Sequence, residues 1–326
     1  MRVGITGVGA HLPEHEVTTA ALQERIGELP RGLLARLTGI ERRRIAAGDE
    51  YASTLGLHAA RAALATAELD PLDIDLLLFA SASRDMVEPA TAHILQDGLG
   101  SRAHAMDVTN ACNSFVNGID LARSMIMAGR ARRALVVTGE TPSRVMRPRV
   151  SGMAEMRQAF AGYTFGDAGA AVVVEPVSRG GILDIDTETF SEHWTVGGIP
   201  GGGSRHPRGD EHSYFTGDGH RLRGVFEKIG GSILDRVRSR TGLEFTDYAR
   251  VLVHQVTLPY LERFIEVTGV PRDKLEITVT SLGNMASATL GVQLDRIFPG
   301  LAAGDRVLLV GLGGGVSMMT MVWERS

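Results

Sequence analysis

Short apolar runs recur along the chain, and longer stretches with helical spacing lie between them. Residues 2–8, 74–81, 134–138, 170–175, 250–254, 306–311 and 317–323 form the runs, whose length and Val, Leu and Ile content predict strands. Residues 52–67, 112–128, 225–241, 258–268 and 290–298 carry apolar side chains three and four apart, the period of a helix with one buried face. Strands that read as almost unbroken apolar runs are those covered on both faces, so the alternation predicts an α/β fold with buried mixed sheets. A weak internal echo runs through the pattern. Asp73-Ile74-Asp75-Leu76-Leu77-Leu78-Phe79 is answered by Asp247-Tyr248-Ala249-Arg250-Val251-Leu252-Val253, and each half closes on strand, glycine turn, strand. An unduplicated α/β protein can show such an echo too, so duplication is one of two readings at this point. Residues 191–223, rich in Gly, His and Arg and without period, read as a long functional loop or covering flap between the halves.

Composition narrows the classes. The 326 residues suffice for one large domain or two smaller ones. A net charge of −4 gives no polyanion-binding signal, so nucleic acid is not implied. No uninterrupted apolar stretch is long enough to span a bilayer, and the first residues read as a strand, not as a signal peptide. The single cysteine excludes an intrachain disulfide framework and fits a reducing, cytoplasmic setting. His11, His58, His93, His104, His193, His206, His212 and His220 lack metal-site spacing and read as surface or loop residues, so no metal is expected.

That cysteine, Cys112, opens the helical stretch 112–128. A thiol at a helix N-terminus meets unpaired N–H groups and the positive end of the helix dipole, which favour thiolate. Far downstream stand His254, in Val-Leu-Val-His-Gln, and Asn284, in Ser-Leu-Gly-Asn-Met-Ala-Ser. One Cys with a His and an Asn elsewhere in the chain is the pattern of a nucleophile whose partners join it in space. A small buried core cysteine beside two unrelated polar residues is the competing reading.

The flanking segments decide between them. Gly9-Ala10-His11-Leu12-Pro13, Thr38-Gly39-Ile40-Glu41-Arg42-Arg43, Asp107-Val108-Thr109-Asn110-Ala111-Cys112, Phe165-Gly166-Asp167-Ala168-Gly169-Ala170, Pro200-Gly201-Gly202-Gly203-Ser204-Arg205 and Gly313-Gly314-Gly315 fall in one order. In that order the chain resembles, nearly end to end, the ketoacyl-acyl carrier protein synthase III group of the thiolase superfamily. The resemblance implies a five-layer α-β-α-β-α sandwich built from two duplicated halves, here 1–176 with the nucleophile and 177–326 with His and Asn, normally as a homodimer. It implies that Cys112 takes an acyl group from a coenzyme A or acyl carrier protein thioester, and that His254 and Asn284 hold the carbonyl of the second thioester. The backbone N–H groups of Cys112 and Gly314 form the implied oxyanion hole, glycine being needed for close backbone approach. Phe115, Gly313 and Gly315 are expected around the substrate. The implied reaction is a Claisen condensation through an acyl-cysteine, with no metal or redox cofactor.

Three departures bear on the substrate. Upstream of Thr38-Gly39-Ile40 the family usually carries a Trp and an Arg that embrace the adenine of coenzyme A. Here Leu33 and Leu37 occupy those places, with Arg36 one residue off. Pro259 stands where the family often has a carrier-docking arginine. The nucleotide is therefore held by another surface or by Arg36 in a different rotamer, or the donor arrives on a carrier protein. Third, Glu88 before Pro89 resembles the thiolase of olefin and β-lactone pathways, in which a glutamate reaches across the dimer to remove an α-proton. Malonyl donors lose CO2 and need no base, whereas plain acyl thioesters need one, and an apolar tunnel would raise the carboxyl pKa to suit. The alternative is that Glu88 caps a helix starting at Pro89. Two other functions share these residues: transfer of the acyl group to a hydroxyl or amine, and a subunit of a heterodimeric condensing enzyme.

Overall fold

The computed structural model describes residues 1–27, 29–209 and 211–326, with the side chains of residues 220, 222, 223 and 226–230 outside the description. The sequence reading of His220 therefore falls outside the described side chains. Two sheets organise the chain. The first runs Arg2–His11, Ala168–Val177, Ala134–Glu140, Leu76–Ala80, His104–Val108 in spatial order. Its first two pairings are antiparallel and its last two parallel. The second runs Gly181–Thr189, Ser317–Glu324, Arg306–Gly313, Arg250–Val253, with two antiparallel pairings followed by a parallel one. Beyond Arg250–Val253, Val251 bridges Leu275 in parallel, where the first sheet has its fifth strand. Order and direction repeat strand for strand, which is the source of the weak echo in the sequence.

Alternate side chains of each strand enter different cores. Leu76 and Leu78 join a central core while Leu77 and Phe79 join an outer one. In the second sheet Val307 and Leu309 face the same central core, and Leu308 and Val310 face the opposite outer one. The helices Ser114–Met127 and Ala288–Ile297 fill the central layer through Phe115, Ile119, Leu290 and Leu294. Ala52–Ala67 and Thr91–Leu99 cover the first sheet from outside, through Ala59, Ala63 and Leu95. Gly219–Thr241 and Leu258–Thr268 cover the second, through Ile233, Val237 and Leu261. The result is the five-layer sandwich, helix–sheet–helix–sheet–helix. Burial on both faces is why the strands read as unbroken apolar runs.

Elements without that double cover escaped the sequence pattern. His104–Val108 is an edge strand of mixed exposure. Gly181–Thr189 alternates Ile182 and Ile185 with Asp184, Asp186 and Glu188, whose carboxylates meet Arg236 and Arg240 of the outer helix at 2.7–3.2 Å. The aperiodic stretch is also shorter than the sequence implied, because the outer helix begins at Gly219 and Gly197–Gly198 pairs with Thr216–Gly217.

Candidate active site

The nucleophile turn is wound by its neighbours. The Ser114 hydroxyl accepts from the Asn110 N–H at 2.8 Å and donates to the Ala111 carbonyl at 2.7 Å. Ala111 is held at φ 47, a left-handed conformation that costs a residue with a Cβ on the order of 1–3 kcal/mol. The kink turns Cys112 out of the chain path just before the central helix. The helix itself starts at Ser114, so Cys112 precedes its first turn instead of opening it. Its acidity also departs from the sequence expectation. The residue keeps intermediate exposure, yet the atoms crowded round it desolvate the sulfur and push the thiol up to about 12, with the Glu140 carboxylate acting in the same direction. Desolvation outweighs the helix end, and the resting group is a thiol.

The second half closes on this turn. Asn113, fully buried, donates to the Ser317 carbonyl at 3.0 Å and the Ser317 hydroxyl at 2.8 Å. A Cβ on Gly311 would lie 2.2 Å from Asn113 Oδ1, and one on Gly313 would lie 3.1 Å from Asn113 Nδ2 and 3.3 Å from the Asn110 carbonyl. The demand for glycine thus falls on Gly311 and Gly313. A Cβ on Gly314 would meet only the Ala111 methyl, at 3.9 Å, so the steric reason expected there is corrected. Gly313 packs against the nucleophile turn, Gly315 is a glycine for its φ of 120, and Gly314 lies beside Ala111. Among the described residues the backbone N–H groups of Cys112 and Gly314 donate to no other residue's backbone carbonyl.

His254 follows the strand Arg250–Val253, and its N–H donates to the Val310 carbonyl, one residue before Gly311. Its ring is almost wholly buried, Nδ1 has no protein partner, and burial lowers its pKa to about 4, so the imidazole is neutral. Gln255 fixes the next segment by donating to the Glu276 carbonyl and accepting from the N–H groups of Thr278 and Val279. Asn284 is held by its backbone to residues 164 and 166, and its Oδ1 accepts from the Ala286 N–H at 3.0 Å. With the carbonyl oxygen engaged, the side chain keeps its NH2 for donation. Ala286 repeats the kink of Ala111, at φ 46, before the second central helix. That helix meets the first where Gly291 lies against Phe115. Cys112 and Asn284 thus stand just before the two central helices, the Cys112 turn is tied to Ser317 beside the glycine turn, and His254 is bonded by its backbone to the residue before Gly311.

Beneath them lies a group the sequence did not signal. Glu140, fully buried, accepts from the Ser81 hydroxyl at 3.0 Å, the Ala82 N–H at 2.7 Å, and the Ser83 N–H and hydroxyl at 3.0 and 2.7 Å. Ser287 of the second half also donates to it. Ser287 follows Ala286 as Cys112 follows Ala111, and that matched pair of kinked alanines was the available sequence trace.

Three expected residues lie elsewhere. Phe115 is fully buried in the central core against Gly291, and is core instead of substrate wall. Arg36 is turned back onto its own helix start, donating to the Arg31 carbonyl at 2.6 Å. Glu88 is exposed within the single chain, directly after exposed Met86 and Val87, and outside this chain's own core. It does not cap the following helix either. That helix is Thr91–Leu99, and Asp107 accepts its first N–H groups, from Thr91 at 2.9 Å and Ala92 at 2.8 Å.

A five-layer sandwich of two repeated halves, with a kinked Ala-Cys turn before one central helix and a kinked Ala-Ser turn before its duplicate, is the architecture of the thiolase superfamily. Comparison with known proteins gives the narrower group. The model of 3-oxoacyl-[acyl-carrier-protein] synthase III matches residues 106–191, and that of its C-terminal part matches residues 239–325. The β-ketoacyl-[acyl-carrier-protein] synthase III of Listeria monocytogenes is 33% identical over 99% of this chain and 98% of its own. That of Methylococcus capsulatus is 32% identical over 95% of both. The chain belongs to the 3-oxoacyl-[acyl-carrier-protein] synthase III family. Among solved structures, OleA of Xanthomonas campestris superimposes with a TM-score of 0.89 at 26% identity, covering 99% of this chain and 98% of the other. FabH of Pseudomonas aeruginosa gives 0.87 at 26%, covering 100% and 98%. The protein is a synthase III-like condensing enzyme. These relatives do not favour transfer to a hydroxyl or amine, or the heterodimeric-subunit reading.

Proposed function

We propose that condensation proceeds in two half-reactions through an acyl-cysteine on Cys112. Its sulfur attacks the carbonyl of an acyl thioester carried on coenzyme A or an acyl carrier protein. The N–H groups of Cys112 and Gly314 stabilise the tetrahedral oxyanion, the carrier C–S bond breaks, and the thiol proton leaves with the released carrier thiol. A second thioester then enters with its carbonyl oxygen on His254 and Asn284. Its enolate attacks the acyl carbon, the bond to Cys112 breaks, and the leaving thiolate takes up a proton, from solvent when the enolate arises by loss of CO2. The observation that carries this reading is the donor pair. His254 is kept neutral by burial, and Asn284 has its oxygen engaged, so both offer N–H groups and neither carries a charge that would fix the enolate too tightly. The chemistry calls for no metal or redox cofactor.

The enolate can arise by loss of CO2 from a malonyl thioester or by removal of an α-proton. In the second route Glu88 of a homodimeric partner is the base, and its proton returns to the Cys112 sulfur. OleA supports this choice, having been crystallised with a cysteine, a histidine and a glutamate each replaced, and with lauric acid and lauroyl-CoA bound. Intact-protein mass spectrometry tests the scheme. Incubation with a panel of acyl thioesters is expected to add one acyl mass to wild type and none to Cys112→Ala. A second thioester then discharges it. Discharge of wild type and of a Glu88→Gln variant by malonyl carrier alone identifies the decarboxylating route, and discharge of wild type but stalling of that variant with plain acyl thioester identifies the other. Acyl mass on the Cys112→Ala chain overturns the scheme.

A further inference from the structure

Arg43 is fully buried, and among the described residues no carboxylate pairs with it. Its guanidinium donates instead to two carbonyls and a hydroxyl: Tyr163 O at 2.5 Å, Phe165 O at 3.1 Å and Thr19 Oγ1 at 2.8 Å. Nε is left without a partner, and burial lowers the pKa to about 10. A buried unpaired charge is an expensive way to hold a loop, which asks what the loop does.

Residues 163–166 have two edges. On one, the carbonyls of Tyr163 and Phe165 point at Arg43. On the other, the Thr164 carbonyl accepts from the Asn284 N–H at 2.8 Å, and the Gly166 N–H donates to the Asn284 carbonyl at 3.0 Å. Phe165 and Asn284 form a parallel bridge, so the segment alternates as a strand does between two partners. The space is closed on both sides, because a Cβ on Gly166 would lie 2.1 Å from the Leu282 carbonyl and 3.2 Å from Arg43 Cβ. Asn284 therefore has no independent seat; its backbone sits where the Arg43-bound strip places it, and its side chain is then set by Ala286.

We propose that Arg43 is a positioning residue for the second half-reaction: by gripping the strip at Tyr163 and Phe165 it fixes the Asn284 NH2 against the enolate oxygen. This rests on the role given to Asn284 above. Cys112 is wound by Ser114, Asn110 and Asn113, none of which is hydrogen-bonded to the strip among the described residues, so the loading step is expected to be insensitive to Arg43.

The test measures the half-reactions separately in the full-length enzyme, with Arg43→Gln, Arg43→Lys, Asn284→Ala and the double variants. Arg43→Gln is expected to load acyl groups at the wild-type rate and to condense about 100-fold more slowly, the scale of a misplaced donor. Arg43→Lys, which can still reach one carbonyl, is expected to fall between. In the Asn284→Ala background neither substitution should cost anything further, since groups acting as a unit are not additive. Equal losses in both half-reactions, or losses that add to that of Asn284→Ala, overturn the proposal. If the Gln variant does not fold, the Lys variant decides through amide hydrogen exchange. Selective acceleration at Gly166 and Asn284 is expected, and unchanged exchange there overturns the proposal. Normal condensation by Asn284→Ala would remove the role of Asn284 itself, while the exchange result would still report whether Arg43 holds the strip.

Discussion

At the scale of single residues, Cys112 and His254 are both pushed towards neutrality, in opposite directions on the pH axis. Cys112, raised to about 12, is a thiol at neutral pH. Alkylation by iodoacetamide is expected to keep accelerating through pH 10, where an ordinary cysteine has levelled off near its pKa of about 8.5. Glu140→Gln, which removes the second cause of the shift, should move that profile to lower pH; an unmoved profile would exclude the charge as a cause. His254, lowered to about 4, has the consequence opposite to that of a raised group. The unfolded chain binds its proton near the ordinary pKa of about 6.5 and the folded one does not. Its contribution is therefore present above pH 6.5 and lost as pH falls through 4, to the extent of about 3 kcal/mol. Denaturant titrations of wild type and His254→Asn should diverge in slope across that window and run parallel above it. Two glycines give a steric contrast. Gly311→Ala places its methyl on Asn113 Oδ1 and should lose both stability and acyl loading, whereas Gly314→Ala meets only an ordinary contact and should stay folded and load. Equal Tm values for the two variants would contradict the close approach.

Among the elements, the segment bearing Glu88 is pinned at both ends. Asp85 accepts from the Ser53 N–H at 3.0 Å and its hydroxyl at 2.5 Å, at the start of Ala52–Ala67, and Asp107 caps Thr91–Leu99. Asp107→Ala should cost about 1–2 kcal/mol in thermal unfolding, the usual loss of a helix cap, and should slow the Glu88-dependent step more than loading. A change confined to Tm would separate the cap from the chemistry. The same stretch shows what the chain does and does not disclose before it folds. Strands buried on two faces announce themselves, as at Leu76–Ala80 and Ala134–Glu140, because every position must be apolar. Cys112, His254 and Asn284 could be singled out as candidates because motifs of fixed local conformation surround them. Glu140 and Asp107 were not. Each looks in sequence like any surface carboxylate, and each acquires its role from N–H groups delivered by distant segments. The thiol acidity was misread for a related reason: a helix end is a local feature, while desolvation is the sum of everything packed around the sulfur.

For the molecule as a whole, the two sheets differ in one respect. The second sheet has only the Leu275 bridge beyond its fourth strand, whereas the first has a full fifth strand, His104–Val108, which among the described residues pairs on one side only and leads directly to the Cys112 turn. An open edge of this kind is either protected or paired, and pairing with a second copy about a twofold axis would join two such sheets. Met86 and Val87, exposed immediately before Glu88, would be covered in the same step. The proposed homodimer then makes each active site a composite: Cys112, His254 and Asn284 from one protomer, Glu88 from the other. Complementation distinguishes this from a Glu88 that serves its own chain. Cys112→Ala and Glu88→Gln proteins, each inactive with plain acyl thioester, are dissociated, mixed in equal amounts and reassociated. Half of the dimers formed are hybrids, and in each the Cys112 of one chain faces the Glu88 of the other, giving one complete site of two. Recovery of about a quarter of the wild-type activity is expected from this symmetry. If Glu88 acts within its own chain, no hybrid contains a complete site, and native mass spectrometry showing hybrids without recovered turnover would reject the exchange.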